Sequence, residues 1–486
     1  MNGTEPQNLY ELVTRNMEQR FADRAAFRWY DEAADAVRCR TYRECAQDIR
    51  RAVHYFQSTV PEVRGKRICL WSNNSYAYAV NCYGIMLAGG VVVPLNQRKS
   101  WDELSYELQL VEPAAILTDG EDYGCNAEVQ AAYGSILRPM DGFAACEPGE
   151  LADDRDPEAL MVLMFTSGTT GRSKGVMLSQ KNLFSAMPAF LNPFDDVKKY
   201  TGWNTDEFSS LSALPMFHIS AMTSLVSWSI TGHSINLCNN LKYFYRDLGA
   251  MHSEVMAVVP VLLKSIYSDV MKGRRDRLNG LCVLTCGAAM FDPKMLSDMM
   301  EKGFFVAQMY GLTETCGDGA WNSSQEAKYL TSVGHVDLSC EYKLDDGELC
   351  MRGDPIMLGY YKDPEGTAEV IDADGWFHTG DIARVEEDGY MYLTGRKKNV
   401  IILDSGENVS PEELEKLLVP CADIQECIVK EKDKKICALI YCDPAKQETV
   451  KEFVTGVNRG LPLYKRMVPE LSAQPLPRNA MGKLLR

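Results

Sequence analysis

The stretch Met164-Phe-Thr-Ser-Gly-Thr-Thr-Gly-Arg-Ser-Lys-Gly175 limits the fold more than any other part of the chain. It lies between the apolar run 160–165 and the short strand-like run Val176-Met-Leu178, so a loop of glycine and hydroxyl residues must join two strands. Glycine lets backbone amides close on an anion, because positive φ meets no Cβ clash. Successive amides in such a loop form a concave anion site, and serine and threonine hydroxyls add donors. Arg172 and Lys174 bring the charge that a polyphosphate requires. The common phosphate loop, in which Gly-Lys-Ser/Thr opens straight into a helix, is excluded, because Lys174 follows Ser173 and precedes Gly175. A helix is expected only after Ser179, an N-cap residue, and runs through Phe190. The pattern predicts a hairpin flap over phosphates; the same composition also makes a turn with no ligand.

Such a flap needs a scaffold, and 486 residues with 46% apolar content allow about two to four domains with real cores. A formal net charge of −16 argues against broad binding to nucleic acid or anionic membrane, so any polyanion must meet local clusters of Lys and Arg. The start Met-Asn-Gly-Thr-Glu has neither the basic residues nor the apolar core of a signal peptide. The longest mostly apolar stretch, residues 84–95, is broken by glycines and falls short of the roughly 20 residues that span a bilayer. The 16 cysteines contain no Cys-x-x-Cys pair and read as reduced, mostly buried thiols. A soluble cytoplasmic protein is the expectation.

The first half alternates helix-like and strand-like pieces. Leu9, Leu12, Val13 and Met17 follow helical spacing; strands are expected at 67–71, 91–94 and 115–118, with helices at 75–87 and 101–110. The pattern resumes with strands near 209–214, 255–259, 281–285 and 305–308. Repeated β–α alternation predicts an α/β class with layered, largely parallel sheets. After Gly347 short strands with Asp-Gly turns at 346, 374 and 388 form a β-rich subdomain. Ser410-Pro-Glu-Glu413 then starts a helix, with Ser as cap, Pro in the first turn and Glu413 closing a capping box. Strands at 425–429 and 435–441 and a helix at 448–458 complete a small α+β domain. The expected division is residues 1–395, a hinge at 396–398, and residues 399–486.

Three further blocks carry chemistry. In Gln308-Met-Tyr-Gly-Leu-Thr-Glu314 a strand ends, Gly311 allows a turn, and a hydroxyl and a carboxylate point out of the sheet edge, where α/β sheets bind ligands. Glu314 suits Mg²⁺ beside a polyphosphate; a lone acid of this kind is more often a solvated surface residue. In Trp376-Phe-His-Thr-Gly-Asp381, followed by Gly395-Arg396, the carboxylate can accept from ribose hydroxyls, or the Asp and Arg simply brace a turn. In Pro477-Arg-Asn-Ala-Met-Gly-Lys-Leu-Leu-Arg486, Gly482 frees the backbone beside Lys483, in what is otherwise an inert basic tail.

In this order and spacing the blocks resemble the adenylate-forming enzymes, which include acyl- and aryl-CoA synthetases, luciferases and carrier-protein adenylation domains. The resemblance rests on residues 166–175, Tyr310-Gly-Leu-Thr-Glu314, His378-Thr-Gly-Asp381, Gly395-Arg-Lys-Lys398 and residues 477–486. Weaker matches are Leu214-Pro-Met-Phe-His218, Cys286-Gly-Ala-Ala289 and residues 89–96. It implies that a carboxylic acid reacts with ATP and Mg²⁺ to give an acyl-adenylate and pyrophosphate, and that a thiol then attacks the adenylate.

It further implies roles for individual residues. Thr166, Ser167, Gly168, Thr169, Thr170, Gly171 and Lys174 embrace the β- and γ-phosphates. Thr313 touches the α-phosphate and Glu314 carries the metal. Gly287, Ala288 and Ala289 line the adenine, with Tyr310 against its ring and Gly311 beside it. Asp381 holds the ribose, with Arg396 nearby, and Lys483 bridges the α-phosphate and the substrate carboxylate. The small domain, mobile in this family, turns about Lys398 and brings Ser405, Gly406 and Glu407 to a tunnel for the pantetheine arm of coenzyme A. His218 and Met309 belong to the acyl pocket, His218 either as a gate or as a packed, hydrogen-bonded histidine. Apolar residues at 216–222 and 258–263 make an aliphatic acid the expected substrate. The short segment Val429-Lys-Glu-Lys-Asp-Lys-Lys435 departs from the family's longer loop and weakens the case for nucleotide contacts of coenzyme A there. A separate carrier protein as acceptor, or an aryl or o-succinylbenzoate-type acid, are the alternatives, as is a nucleotide-binding regulator that has lost catalysis.

Overall fold

A computed structural model describes residues 5–167, 172–191, 193–202, 207–287, 291–336, 339–403, 408–432, 435–478 and 484. Two large sheets form the bulk of the molecule. A nine-stranded sheet has a parallel centre, in the order Phe305–Gly311, Val283–Cys286, Val255–Val258, Ser209–Ser212, Ser234–Leu237 and Ala25–Asp31, with antiparallel strands at both edges. A seven-stranded sheet runs Gly359–Tyr360, Ser173–Ser179, Leu160–Ser167, Val91–Pro94, Arg67–Trp71, Ala115–Thr118 and Leu137–Pro139. Its first three strands pair antiparallel and the rest parallel. The parallel strands are apolar throughout because helices cover the sheet faces. Val91, Val92 and Val93 are fully buried, as are Ile68, Cys69 and Leu70.

Small residues let two of these helices meet. A Cβ on Gly84 of helix Tyr76–Leu87 would stand 2.4 Å from the Ala52 Cβ of helix Tyr42–Thr59. A four-stranded antiparallel sheet follows, in the order Glu341–Asp345, Glu348–Arg352, Phe377–Val385 and Met391–Arg396. Its first hairpin turns on Asp346 and Gly347, with φ of 48° and 80°, the left-handed pair that a two-residue turn needs.

A separate core gathers Ile401, Val409, Leu414, Val429, Ile440, Val450 and Val454 under a three-stranded sheet, Ile424–Lys432, Lys435–Cys442 and Val468–Ser472. Helix Pro411–Leu418 starts at Ser410, whose hydroxyl accepts from the Glu413 amide. The expected capping box does not close, because Lys465 Nζ donates to Glu413 Oε2 at 2.9 Å. A charged donor outcompetes a backbone amide for a carboxylate. This helix packs on the end of strand Met391–Arg396, where Lys416 Nζ donates to the Leu393 carbonyl at 2.6 Å.

Other departures have simple causes. The helix expected from Ser179 through Phe190 is two helices, Gln180–Ser185 and Met187–Leu191. Pro188 lacks an amide hydrogen, and its ring clashes with the carbonyl four residues earlier. Ser179 does cap the first, in a reciprocal capping box with Asn182. The strand expected at 305–308 continues to Gly311 and pairs with Gly319–Asn322. Gly311 therefore makes no turn: the left-handed residues are Cys316 and Gly317, and a Gly311 Cβ would lie 2.2 Å from the Gly317 carbonyl oxygen. The cysteines are unpaired and mostly buried, and no helix among the described residues is long and apolar enough to cross a membrane.

Replacing Gly311 with Ala is expected to cost about 1–3 kcal/mol, since a backbone oxygen cannot yield as a flexible side chain does. Gly249→Ala, in helix Phe244–Ala250 with nothing within 4 Å of the new methyl, is expected to be neutral or stabilising. Urea midpoints of the two variants measure the contrast.

Candidate active site

The Gly/Ser/Thr loop joins two antiparallel strands, with Thr166 opposite Lys174 and Ser167 opposite Ser173. Its return limb is gripped from two sides. On one side lies helix Trp101–Val111, which places Tyr106 under the Arg172 guanidinium, 5.2 Å from ring centroid to Cζ, and buries Glu107 completely. Glu107 Oε1 is paired with Lys99 Nζ, itself buried, and that ammonium also donates to Ser173 Oγ at 3.2 Å. Burial pushes the Glu107 carboxyl up, and the Lys99 ammonium and Ser173 pull it back. On the other side the edge strand Gly359–Tyr360 pairs with Val176 and Met177, and the Tyr361 amide donates to the Gly175 carbonyl at 2.7 Å.

Tyr360 connects the flap to the sheet edge. Lys174 Nζ stands 4.6 Å from the centre of its ring, and its hydroxyl donates to Glu314 Oε1 at 3.0 Å. Lys174 also pairs with Asp363 at 3.4 Å and is 21% exposed. Glu314 sits in the 3₁₀ turn Thr313–Thr315, directly after the strand that ends at Gly311. Burial pushes its carboxyl up; the Tyr360 hydroxyl, Arg396 and Lys174 pull it down.

Asp381 is 5% exposed, yet both carboxylate oxygens have donors. Tyr310 Oη donates to Oδ2 at 2.7 Å, and Arg396 Nε lies 2.7 Å from Oδ1. The antiparallel register sets Asp381 directly opposite Arg396, and Arg396 Nη1 also reaches the Thr379 carbonyl at 3.2 Å. Burial and the facing carboxylate push the Tyr310 phenol far above its ordinary value, so it stays a donor. Tyr310 thus spends its hydroxyl on Asp381, a contact the sequence reading did not foresee.

Gly287 follows strand Val283–Cys286 at its carboxyl end, where a Cβ would meet Met309 Cβ at 3.8 Å. His218 caps helix Ile219–Thr231 without a side-chain hydrogen bond and lies 4.6 Å from the Phe217 ring; burial lowers its pKa, so it is neutral at pH 7. The next residue, Ile219, approaches within 3.7 Å of a Cβ placed on Gly317, which in turn crowds Gly311. Lys398 is partly buried near Arg396 and Asp381, and burial lowers its pKa. The structure therefore sets Gly287, Met309, Tyr310, Gly311 and Glu314 at the carboxyl ends of two central strands, brings Lys174 to Glu314 from the seven-stranded sheet through Tyr360, and brings Asp381 and Arg396 to Tyr310 from the four-stranded sheet. Gly168, Thr169, Thr170, Gly171, Ala288, Ala289, Ser405, Gly406, Glu407 and Lys483 lie outside the described residues, as does the side chain of Ser167. The apolar residues expected to line an acyl pocket are mostly core: Met222, Val258 and Leu263 are at most 1% exposed.

A family model described as "AMP-binding enzyme" matches residues 14–361. The chain belongs to the AMP-binding enzyme family. It is 25% identical over 481 residues to a peroxisomal OPC-8:0-CoA ligase of Arabidopsis thaliana, covering 90% of this chain and 86% of the relative. It is 29% identical over 443 residues to a 2-succinylbenzoate–CoA ligase of Bacillus licheniformis, covering 87% and 88%. Its fold matches an o-succinylbenzoate CoA synthetase from Bacillus subtilis in complex with the acyl-adenylate intermediate OSB-AMP, with a TM-score of 0.81, 24% identity and 99% and 98% of the two chains covered.

Four side chains of this family member escaped the sequence reading: Tyr360, Asp363 and the Lys99–Glu107 pair. Tyr360 and Asp363 follow a stretch with no distinctive composition. Lys99 and Glu107 are eight positions apart, and only the turn before the helix brings them together. Lys99→Met leaves Glu107 buried without a counter-charge and is expected to cost about 3–5 kcal/mol. The double variant Lys99→Met/Glu107→Met should recover most of that loss, because the two side chains refill the space without charge. Denaturant unfolding of the four proteins in this cycle gives the coupling.

Proposed function

We propose that this AMP-binding enzyme is an AMP-forming acid–thiol ligase. It joins a carboxylate to ATP, giving an acyl-adenylate and pyrophosphate, and then passes the acyl group to the thiol of coenzyme A with release of AMP. The observation that carries the reading is a pair of contact chains, Lys174–Tyr360–Glu314 and Tyr310–Asp381–Arg396, drawn from three sheets, with Arg396 acting on Glu314 through space. A buried acid with both oxygens already fixed is oriented to accept from ribose hydroxyls without reorganising. Lys174 faces phosphate oxygens from the flap, and the Thr313 hydroxyl and amides at this turn are donors for the α-phosphate.

The donor set fits Mg²⁺, a hard cation that takes oxygen ligands: Glu314 supplies a carboxylate beside the lysine that would share the same phosphates. When bound, the metal neutralises charge on the polyphosphate. Lys483 is assigned by its motif to the substrate carboxylate, and Lys398 to the pivot at residues 396–398 between residues 1–395 and 399–486. A swing there would exchange Lys483 for the loop containing Ser405, Gly406 and Glu407 between the two half-reactions.

The proposed substrate is an aliphatic acid, entering beside Met309 and His218. A second reading, an aryl acid of the succinylbenzoate kind, is supported by the 29% identity to a 2-succinylbenzoate–CoA ligase. A carrier protein as acceptor is the third arm of the test. On the acceptor side, Lys432 is already paired with Glu470 at 2.7 Å, so this lysine of the short segment 429–435 is not a ready partner for the 3′-phosphate of coenzyme A.

Pyrophosphate release by the purified protein across a panel of aliphatic and aryl acids, followed by AMP release with coenzyme A or a carrier protein, tests the proposal. Pyrophosphate with one acid class and AMP only with coenzyme A is the expected result; no pyrophosphate with any acid would sink it. Asp381→Asn is expected to raise KM for ATP by roughly 10–100-fold through loss of about 1.5–3 kcal/mol of charged hydrogen bonding.

Glu314→Gln is expected to cut pyrophosphate release by at least about 100-fold. It should also raise the thermal midpoint of the ligand-free protein by ~2–4 °C at pH 8, since a buried charge is removed. The sign follows from the raised carboxyl. A carboxyl raised by folding destabilises above its folded pKa and is neutral below its unfolded one. The stability gap between variant and parent should therefore close as the pH falls through the window just above the ordinary carboxyl range. Scanning calorimetry at several pH values reads it.

A further inference from the structure

We propose that Cys350, His378 and Glu348, joined by Asp345, form a binding site for a divalent cation of the zinc class, apart from the nucleotide site. All four lie on the four-stranded antiparallel sheet, and Cys350 and His378 are directly opposed across its two central strands. His378 Nδ1 is 3.4 Å from Cys350 Sγ and 3.2 Å from Glu348 Oε2. A tetrahedral zinc with bonds of about 2.0–2.3 Å sets its ligand atoms roughly 3.3–3.8 Å apart, so the two spacings about His378 Nδ1 already stand near the required value. The Asp345 carboxylate, Cys350 Sγ and a His378 nitrogen fall within 4.8 Å of one another. Asp345 precedes the exposed two-residue turn, so its side chain has room to close the remaining distance.

The surrounding groups fit the assignment. With a cation on Nδ1 the ring proton would sit on Nε2, where Asp372 Oδ2 at 3.5 Å faces it. That carboxylate–histidine arrangement behind a ligating nitrogen is how metal sites fix the ring. The Gly380 amide donates to Glu348 Oε1 at 3.0 Å, so Oε2 is the oxygen turned toward the cluster. Sulfur with imidazole selects zinc or cobalt over magnesium and calcium, whereas the Glu314 region offers oxygen alone.

Binding replaces the thiol proton: Cys350 S–H gives up H⁺ to solvent as the sulfur–metal bond forms, with no change of oxidation state. The cation's competitor is Lys397, whose Nζ lies 2.7 Å from Glu348 Oε2 on a side chain that is 62% exposed and free to turn outward. Lys397 belongs to Gly395-Arg-Lys-Lys398, so occupancy would unfasten the four-stranded sheet from the segment leading to the small domain.

The test is titration of the metal-free, full-length protein with Co²⁺ in millimolar Mg²⁺, followed by absorption spectroscopy and displacement with Zn²⁺. The expected result is one saturable site with intense tetrahedral d–d bands and a thiolate-to-cobalt charge-transfer band. Cys350→Ala should abolish that band and weaken binding by at least about 100-fold, and Asp372→Asn should weaken it roughly 10–100-fold. Lys397→Ala should tighten it, which a merely hydrogen-bonded cluster would not do. No saturable Co²⁺ binding, a charge-transfer band that survives Cys350→Ala, or weaker binding in Lys397→Ala each overturns the proposal. Should Cys350→Ala fail to fold, His378→Gln and the surface variant Lys397→Ala decide the matter by the same spectra.

Discussion

An ammonium over the Tyr360 ring and a carboxylate on its hydroxyl place opposite charges at two points of one side chain, and this is what makes the site a unit. Lys174 belongs to the seven-stranded sheet and Glu314 to the turn that follows a strand of the nine-stranded one. In a low-dielectric setting the two would attract strongly if they touched, and the flap lysine would be consumed. The tyrosine keeps them apart while connecting both: the ring face favours the cation, and the hydroxyl favours the anion. The edge strand Gly359–Tyr360 is short because its task is to present that residue, held by Thr367 Oγ1 accepting from the Tyr360 amide at 2.8 Å.

The chain is acidic overall, so the cations that meet a polyphosphate must be held in place without being neutralised. The structure solves this in different ways for different residues. Arg172 stacks on Tyr106, which orders a guanidinium without a counter-ion. Lys174 shares Asp363 at 3.4 Å, a loose contact on a partly exposed carboxylate. Lys99 alone is fully committed, to Glu107, and its role is to fasten Ser173 at the base of the return limb. The buried pair thus fastens Ser173, and Arg172 and Lys174 on either side of it are not committed to a buried counter-ion.

The two-strand flap, the layered sheets and the small α+β unit were legible in the sequence because each rests on local chemistry: glycine and hydroxyl content, apolar period and turn residues. The misreadings came where long-range packing decided the matter. Gly311 looked like a turn residue, yet it is required by the carbonyl of Gly317 on the neighbouring limb. Glu413 matched a capping box, but Lys465, far along the chain, took its carboxylate. Tyr360, Asp363 and Lys99 had no signal at all, since only the order of strands in the seven-stranded sheet sets them beside the loop. Asp381 and Arg396 were picked out together, but their mutual hydrogen bond and the Tyr310 hydroxyl follow from sheet register, which spacing does not reveal.

The contacts between the four-stranded sheet and the helix that follows Ser410 are also informative. Ser410 Oγ donates to the Thr394 carbonyl at 2.7 Å, Lys416 Nζ to the Leu393 carbonyl at 2.6 Å, and Asn399 Nδ2 to Glu412 at 2.6 Å. Each is a polar bond that water replaces at a net cost of about 1 kcal/mol, unlike the opening of an apolar core. Ile401, Leu414 and Val450 belong to a core cluster of their own. Gly395 allows the contact to be close, since a Cβ there would stand 2.2 Å from Ser410 Oγ. A junction made of exchangeable hydrogen bonds on a glycine, beside cations already engaged by Asp381 and Glu348, is the physical requirement for the swing proposed at residues 396–398. Arg396, the ion-pair partner of the carboxylate proposed to hold the ribose, thus stands in the same short segment as the proposed pivot.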